Sequence, residues 1–551
     1  MKQPVTFKLI ETGKIRPLGW LSTQLERQLQ GYAEDLDRFC AEAGSDIFGR
    51  NKVTNPQDRH WWNAETEGNW IDGFVRLAFL SGNQDAILKA RKYIKHILET
   101  QESDGYIGVY SPELRYKKLE DDGEFWAQSR TFSAMLAYYE ATGEREVLVA
   151  VGKAALLDVS HYGPYAEGRS YFGYLYPDSH GVMLAEPMLQ LYDLTGDRRF
   201  LNFAVFCYDD FSANYNRSYG SDCRLGYLLD KNRPFISHGA HTCEHLRIPL
   251  LLYGYTEKID YRKAFENGME KMRAVRWDCS PTHDDAVVCC VPNAVRAVPY
   301  QIGRMWMRTN EGGLVALLYG PCTVTERIDG NRIEVEETTG YPFDEIITIK
   351  IRSESEKNFP VRFRIPDWSA KTVIRIDDRE KEVGRGEWFF TIRRSWKDET
   401  VITIQFYPEI ETVKAVDGTV AVRRGVLLYA LPIPHRRVVT KRYPTGDDCD
   451  FDILPEEGAY WAYDLLLDRT KPNSGLVFCR EEGKGYPWDS SSVLIQADAI
   501  ETTPNYAFPE KMDQTHREYL LLGSPRGPVT MNLVPIGCTV LRKTSFNSVT
   551  L

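Results

Sequence analysis

Along the first 310 positions, apolar residues recur at spacings of three and four. Phe132, Met135, Leu136 and Tyr139 stand at i, i+3, i+4 and i+7, and Ile248, Leu251, Leu252 and Tyr255 repeat that spacing. A stripe of this kind covers one face of an α-helix. The stripes belong to a loose repeat: LAFLSGNQDA (Leu77–Ala86), LAYYEATGERE (Leu136–Glu146), LQLYDLTGDRR (Leu189–Arg199) and LLLYGYTEKID (Leu250–Asp260). With Ser81, Thr142, Thr195 and Thr256 as marks, the steps are 61, 53 and 61 residues. Each unit reads as an apolar helix, a short polar turn and a second helix. One such pair cannot bury its apolar face alone, so successive pairs must stack. The long irregular stretches Gln101–Glu124 and His161–Ser179 favour a closed toroid with loops at one mouth over an open solenoid.

From about Gly312 the period changes to two. Val361, Phe363 and Ile365 fall on one side of VRFRIPDW, and Ile402, Ile404 and Phe406 on one side of VITIQFY. Such alternation, punctuated by Gly, Asp and Pro, predicts strands. RRGVLLYALPI (Arg423–Ile433) reads as one continuous apolar strand buried on both faces. The last 240 or so residues therefore read as β-sandwich material in two modules, with a break near Ala415–Gly418.

Composition narrows the class. The 551 residues carry a net charge of −10 and no Lys/Arg-rich run, which argues against nucleic acid as a partner. KARKYIKH (Lys89–His96) reads as the solvated side of a helix. No apolar run reaches membrane-spanning or signal-peptide length, so a membrane span is not expected and the cytoplasm is. The 11 cysteines are odd in number and follow no disulfide-scaffold spacing, which favours a reducing compartment with some thiols free or metal-bound.

Candidate chemistry gathers in a few places. SHGAHTCEH supplies His238, His241, Cys243, Glu244 and His245, and DDAVVCCVPNAVR supplies Cys289 and Cys290. Thiolate and imidazole are the ligands zinc prefers. The plainer alternative is that the vicinal cysteines are small buried hydrophobes and the histidines core residues at a helix start. RHWWNAETEGNW interleaves His60, Trp61, Trp62 and Trp70 with Glu65 and Glu67, a pattern suited to a sugar subsite. An ordinary helix start with a core tryptophan pair accounts for it equally well. DGEFWAQSR, with Trp126, and YPDSHGVMLAEP, with His180, also carry polar residues just before helices, which are mouth positions in a toroid.

Together with DGYIGVY (Asp104–Tyr110), Cys-Cys-x-Pro-Asn (Cys289–Asn293) followed by Arg296, RFRIPDW (Arg362–Trp368), Trp396 and RRGVLLYA, these pieces resemble glycoside hydrolase family 127, the β-L-arabinofuranosidases. The resemblance implies a multidomain α+β chain, an (α/α)6 barrel followed by β-sandwich domains. The expected division is an N-terminal strand segment (1–15) packing on a β-sandwich, a catalytic barrel (16–310), a β-sandwich (311–415) and a C-terminal β-sandwich (416–551). It implies one zinc ion held by Cys243, Cys289 and Cys290, with His241 in the place of the family's Glu. Cys289 is then the nucleophile of a retaining, exo-acting hydrolase that removes a terminal L-arabinofuranose or similar sugar.

The family's acid/base Glu has no counterpart in Arg224–Ala240, where Asp230 is the only carboxylate. The candidates are Asp230, Glu244, Glu65 and Glu67. His60, Trp62, Glu65, Glu67, Trp126, His180 and His238 are the expected sugar contacts. The expected partner is a glycoside or oligosaccharide, with a homodimer as an open assembly. Two other readings stand beside this one: a metal-independent hydrolase or lyase acting through Glu65 or Glu67, and a non-catalytic sugar-binding protein.

Overall fold

The computed structural model describes residues 6–117, 119, 121–173, 177–217, 220–273, 290–377, 379–414, 418–442, 449–468, 470–483, 485–502 and 528–550. The chain forms two compact units. One comprises Leu25–Arg304 with the N-terminal stretch through Arg16, and the other Met305–Leu551 with Pro17–Gln24. Among the described residues, no helix is long and apolar enough to cross a membrane.

The first unit is helical. Its principal helices are α1 (Asn63–Ser81), α2 (Gln84–Glu99), α3 (Glu124–Thr142), α4 (Arg145–His161), α5 (Ala185–Thr195), α6 (Arg198–Asn214), α7 (Gly239–Thr256), α8 (Ile259–Arg273) and α9 (Cys290–Ile302). The repeat marks Ser81, Thr142, Thr195 and Thr256 are the last residues of α1, α3, α5 and α7. The first three of these helices end on Gly82, Gly143 and Gly196, at φ of 71°, 75° and 73°. Glycine takes this left-handed conformation without a Cβ clash, and its N–H closes the last turn. The next helix starts at once: Asn83 accepts from the Ala86 N–H, and Asp197 from the Arg199 N–H.

The two members of a pair differ in kind. α2 buries a single stripe, Ala86, Ala90, Ile94 and Ile97, as an outer helix does. α3 is buried without interruption from Glu124 to Tyr138. The one-face reading of Phe132, Met135 and Leu136 is thus too narrow, because α3 has neighbours all round. α1 packs on α3, α3 on α5, α5 on α7, and α9 on α1. α1 and α9 approach closely at Gly73, where a Cβ would meet the Arg296 nitrogen at 2.8 Å.

The second unit is built of sheets. Its first sheet runs in the order Trp306–Thr309, Gly313–Ala316, Ile346–Arg364, Phe389–Pro408, Ser369–Ile376 and Arg379–Gly384. The two long strands pair antiparallel from Phe389↔Arg364 to Gln405↔Ile346, broken by an irregularity at Trp396/Asp398. Val361, Phe363, Ile402, Ile404 and Phe406 are all buried, as the two-residue period predicts. The second sheet begins with Ile410–Lys414. The expected break falls largely on 415–417, outside the described residues.

Arg423–Ile433 is not one strand. Val420–Arg424 and Leu427–Pro432 form a hairpin, with Val422 opposite Tyr429 and Arg424 opposite Leu427. Gly425, at φ 61°, opens its two-residue turn. The surrounding apolar letters hide that glycine's role.

Candidate active site

The first unit gathers charged and aromatic side chains where α1, α3, α7, α9 and the 3-10 turn Ser179–Leu184 meet. Trp61 and Trp62 lie just before α1 and stack at 4.4 Å between ring centroids. Trp62 meets Trp126 of α3 edge-on at 5.2 Å, and Trp126 stacks on the His180 ring at 4.4 Å. Trp62 keeps an exposed edge while Trp126 is buried. The three rings make a wall with one edge open, a surface on which the apolar face of a sugar can rest.

Glu244 lies beside this wall. Its carboxylate accepts from Arg130 Nη2 at 2.6 Å, and Arg296 Nη1 is 3.4 Å from its other oxygen. Burial opposes the charge, but the guanidinium groups of Arg130, Arg296 and Arg247 hold Glu244 well below the usual carboxylate range. Arg296 is itself fixed by Asp72 at 3.0 Å, Asn69 at 2.9 Å and Asn293 at 2.7 Å. Tyr300 donates to the same Asp72 at 2.6 Å. Glu244 is thus a permanent anion locked between cations, and a poor proton donor.

Glu65 is the opposite case. It sits half-buried in the first turn of α1. Burial pushes it up to about 7; Arg130 works against that rise, and the Glu244 and Asp178 carboxylates add to it. A carboxyl that titrates near neutrality can give and take a proton in one reaction cycle. Glu67, two residues on, is also pushed up by burial, to about 8. Its oxygen, however, accepts from the Ser45 hydroxyl at 2.5 Å and the Ile47 N–H at 3.1 Å. It ties a loop to α1.

The other expected residues are distributed as follows. Asp230 follows a short helix at the surface, where its carboxylate accepts from the Asn232 N–H and pairs with Arg233 at 3.3 Å. It does not join the cluster. His60 is exposed, with Nδ1 2.6 Å from Asp58. His238 is exposed and caps α7, its Nδ1 accepting from the Ala240 N–H at 3.1 Å. Cys243 and Cys290 are exposed. Cys289 lies outside the described residues.

Three imidazoles do converge. His180, His241 and His245 place one ring nitrogen each within 4.8 Å of one another, a donor set that could hold a metal ion. His180 Nδ1 is 2.9 Å from His245 Nε2, and His241 Nδ1 is 3.0 Å from Ser179 Oγ. Burial keeps all three rings neutral, His241 falling to about 4 and His245 to about 3. The zinc set implied by the family resemblance fares differently. Among the described residues, His241, Cys243 and Cys290 do not form a group of this closeness. Cys289, the third thiol of that set, lies outside the described residues, and the thiolate-bound ion stays what the resemblance implies.

Arg130 is a site residue that reading the sequence overlooks, and Arg296 enters there only as part of the family pattern, with no role assigned. Arg130 follows Trp126 by four positions, and that spacing on one helix face is the signal that could have found it.

Two family models match the chain. The β-L-arabinofuranosidase GH127 catalytic domain matches residues 35–226, and the GH127 middle domain residues 313–407. Together they span more than half of the 551 residues. The non-reducing end β-L-arabinofuranosidase of Bifidobacterium longum subsp. longum is 26% identical over 140 residues, which cover 24% of this chain and 20% of that relative. The match thus spans about a fifth of the relative's length. A GH127 β-L-arabinofuranosidase from Geobacillus stearothermophilus T6 superposes with a TM-score of 0.60 at 16% identity, covering 99% of this chain and 100% of the other. A second solved structure, a GH127 β-arabinofuranosidase, gives 0.63 at 14% identity, covering 98% of both chains. At such identities the likeness is one of fold: a helical N-terminal region followed by sheet-built domains. With both family models matched, the chain belongs to glycoside hydrolase family 127.

Proposed function

We propose that this protein is a retaining, exo-acting glycosidase that removes a terminal L-arabinofuranose or a similar sugar, with Glu65 as its acid/base. One feature carries the assignment: burial pushes Glu65 up to about 7 within the electrostatic reach of Arg130, Glu244 and Asp178, while Glu244 is held as an anion and Glu67 is bound to a loop. The succession of inner helices, with α9 packed back on α1, supports a closed toroid whose mouth holds the site.

In the first step Glu65 gives its proton to the departing glycosidic oxygen as that C–O bond breaks. Cys289, the nucleophile implied by the family, attacks as its thiolate and forms a carbon–sulfur bond to the anomeric carbon as the glycosidic bond breaks. In the second step the Glu65 carboxylate takes a proton from water, whose oxygen bonds to the anomeric carbon as the thiolate leaves. Two displacements return the starting anomeric configuration. Burial, with smaller contributions from the Glu244 and Asp178 charges and against the pull of Arg130, raises Glu65 so that it can carry a proton near neutrality, and Arg130 and Arg296 keep Glu244 charged. No step is routed through a thiolate-bound zinc.

The test compares leaving groups on β-L-arabinofuranosides. Proton transfer of this kind contributes about 10²–10⁴-fold. Glu65→Gln is expected to lose that much kcat on an alkyl glycoside and far less on a nitrophenyl glycoside, whose leaving group needs no proton. Equal activity of wild type and variant on both substrates overturns the role of Glu65. Full turnover by Cys289→Ala favours the carboxylate-only reading, and saturable sugar binding with no turnover favours a binding protein.

A further inference from the structure

We propose that a cavity in the sheet-built unit, lined by Trp20, Phe343, Asp344, Arg480, Ser490 and Ser492, is a second sugar-binding site, one that does no chemistry and holds part of a glycan. The inference rests on the glycosidase reading only for the class of sugar, and the cavity shares no residue with the cluster around Glu65.

Three pieces of chain wall the cavity. One is the loop between the paired strands Leu476–Arg480 and Val493–Glu501, which carries Ser490 and Ser492. Gly485 takes the left-handed conformation there, at φ 80°, and Gly483 lets the loop close on itself, since a Cβ would meet the Ser492 Cβ at 3.0 Å. The second is the turn between Asn331–Thr339 and Ile346–Arg364, which carries Phe343 and Asp344. Phe343 is buried among the apolar residues of the second sheet and meets Trp488 edge-on at 4.7 Å, which ties this turn to the loop. The third is Trp20, in the stretch Pro17–Gln24 that belongs to the sheet-built unit. Its indole N–H donates to the Tyr341 carbonyl at 3.0 Å, its ring meets Trp488 edge-on at 6.0 Å, and it stays half-buried. The cavity measures about 320 Å³, at the lower end of the about 300–1,000 Å³ usual for small-molecule sites.

The lining suits a neutral ligand rich in hydroxyls. Arg480 Nη1 donates to the Phe343 carbonyl at 3.0 Å, and Nη2 pairs with Glu345, which also accepts from Arg424 Nη1 at 2.6 Å. The Arg480 guanidinium is thereby held 3.9 Å from the Asp344 carboxylate. Asp344 and Glu345 balance Arg424 and Arg480, so this wall offers donors and acceptors without favouring an anion or a cation. A hydroxyl both donates and accepts. Neighbouring sugar hydroxyls can therefore give to Asp344 and the serine oxygens while accepting from Arg480. Trp20 and Phe343 supply apolar surface for the C–H face of the sugar ring. Asp344 and Ser490 are exposed, which leaves the cavity open to the rest of an extended chain.

The test counts bound sugar by calorimetric titration of arabinotriose into the full-length protein. All proteins carry Glu65→Gln, so that turnover does not consume the probe. The parent is expected to bind one equivalent that Trp20→Ala and Asp344→Ala lose or hold roughly tenfold or more weakly. If Trp20→Ala fails to fold, Asp344→Ala and Ser490→Ala decide, because both side chains are exposed. Titrations that coincide with and without these side chains overturn the proposal, and so does the absence of any bound arabinotriose. An equivalent that persists in every variant belongs to the cluster around Glu65. Its absence counts against the glycosidase reading alone, and the equivalent that depends on Trp20 is judged separately.

Discussion

Glu65 and Glu67 lie two residues apart on α1 and meet different fates. Both are raised by burial, yet Glu67 has one oxygen engaged by a loop, through Ser45 and Ile47. A carboxyl whose folded pKa is raised binds its proton more tightly folded than unfolded. The fold is therefore favoured below the ordinary value of 4.5 and loses stability as pH rises through about 8. Glu67→Gln keeps the shape and the acceptor oxygen but cannot ionise. It is expected to melt higher than wild type at pH 8.5 and close to it at pH 5, read by calorimetry at both values. Each kcal/mol regained is worth about 2–4 °C in a domain of this size. Equal shifts at both pH values would mean that the carboxyl does not titrate in the folded protein.

At this scale the sequence shows which residue types gather before α1, but not their neighbours. Trp62, Trp126 and His180 do meet, because the starts of α1 and α3 and the Ser179–Leu184 turn converge. His60 and His238 read the same in the sequence and end at the surface, one beside Asp58 and one capping α7. Only the partner distinguishes the two outcomes: Trp126 and His180 find each other across more than 50 residues, whereas His60 and His238 pair with groups two residues away.

Among the elements, the pair-and-turn repeat is the most legible feature. The marks chosen from letters alone are the last helical residues, because a glycine cap follows three of them. The fourth repeat departs: Glu257 takes the left-handed position after α7, at φ 55°. A side chain there costs about 1–2 kcal/mol in strain that glycine avoids. Glu257→Gly is expected to raise stability by about 0.5–1 kcal/mol, since added freedom in the unfolded chain offsets part of the relief. Urea unfolding measures it, and a loss of stability would show that the Glu257 side chain has a use of its own. The hairpin at Gly425 is the less legible element. A continuous apolar run carries no period, so nothing in it separates one buried strand from two paired ones.

For the whole molecule, the change of period near Gly312 separates the helical unit from the sheet-built one, since periods of 3.6 and 2 demand different neighbours. The chemistry is less legible than the architecture. The spacing of cysteines and histidines suggests a thiolate-rich ion site, and the folded chain adds a convergence of His180, His241 and His245 that the spacing does not announce. The i, i+4 geometry of α7 decides that outcome, and a pattern read as a list of ligands does not contain it.

The pH dependence of kcat/KM on an alkyl β-L-arabinofuranoside, for wild type and Glu65→Gln, tests the central assignment most directly. Wild type needs Glu65 protonated in the free enzyme, so its rate is expected to fall as pH rises through about 7. In Glu65→Gln the residual rate is expected to be low and to lack that falling limb. A variant that keeps both the wild-type rate and the limb near 7 would contradict the assignment of Glu65 as the proton donor.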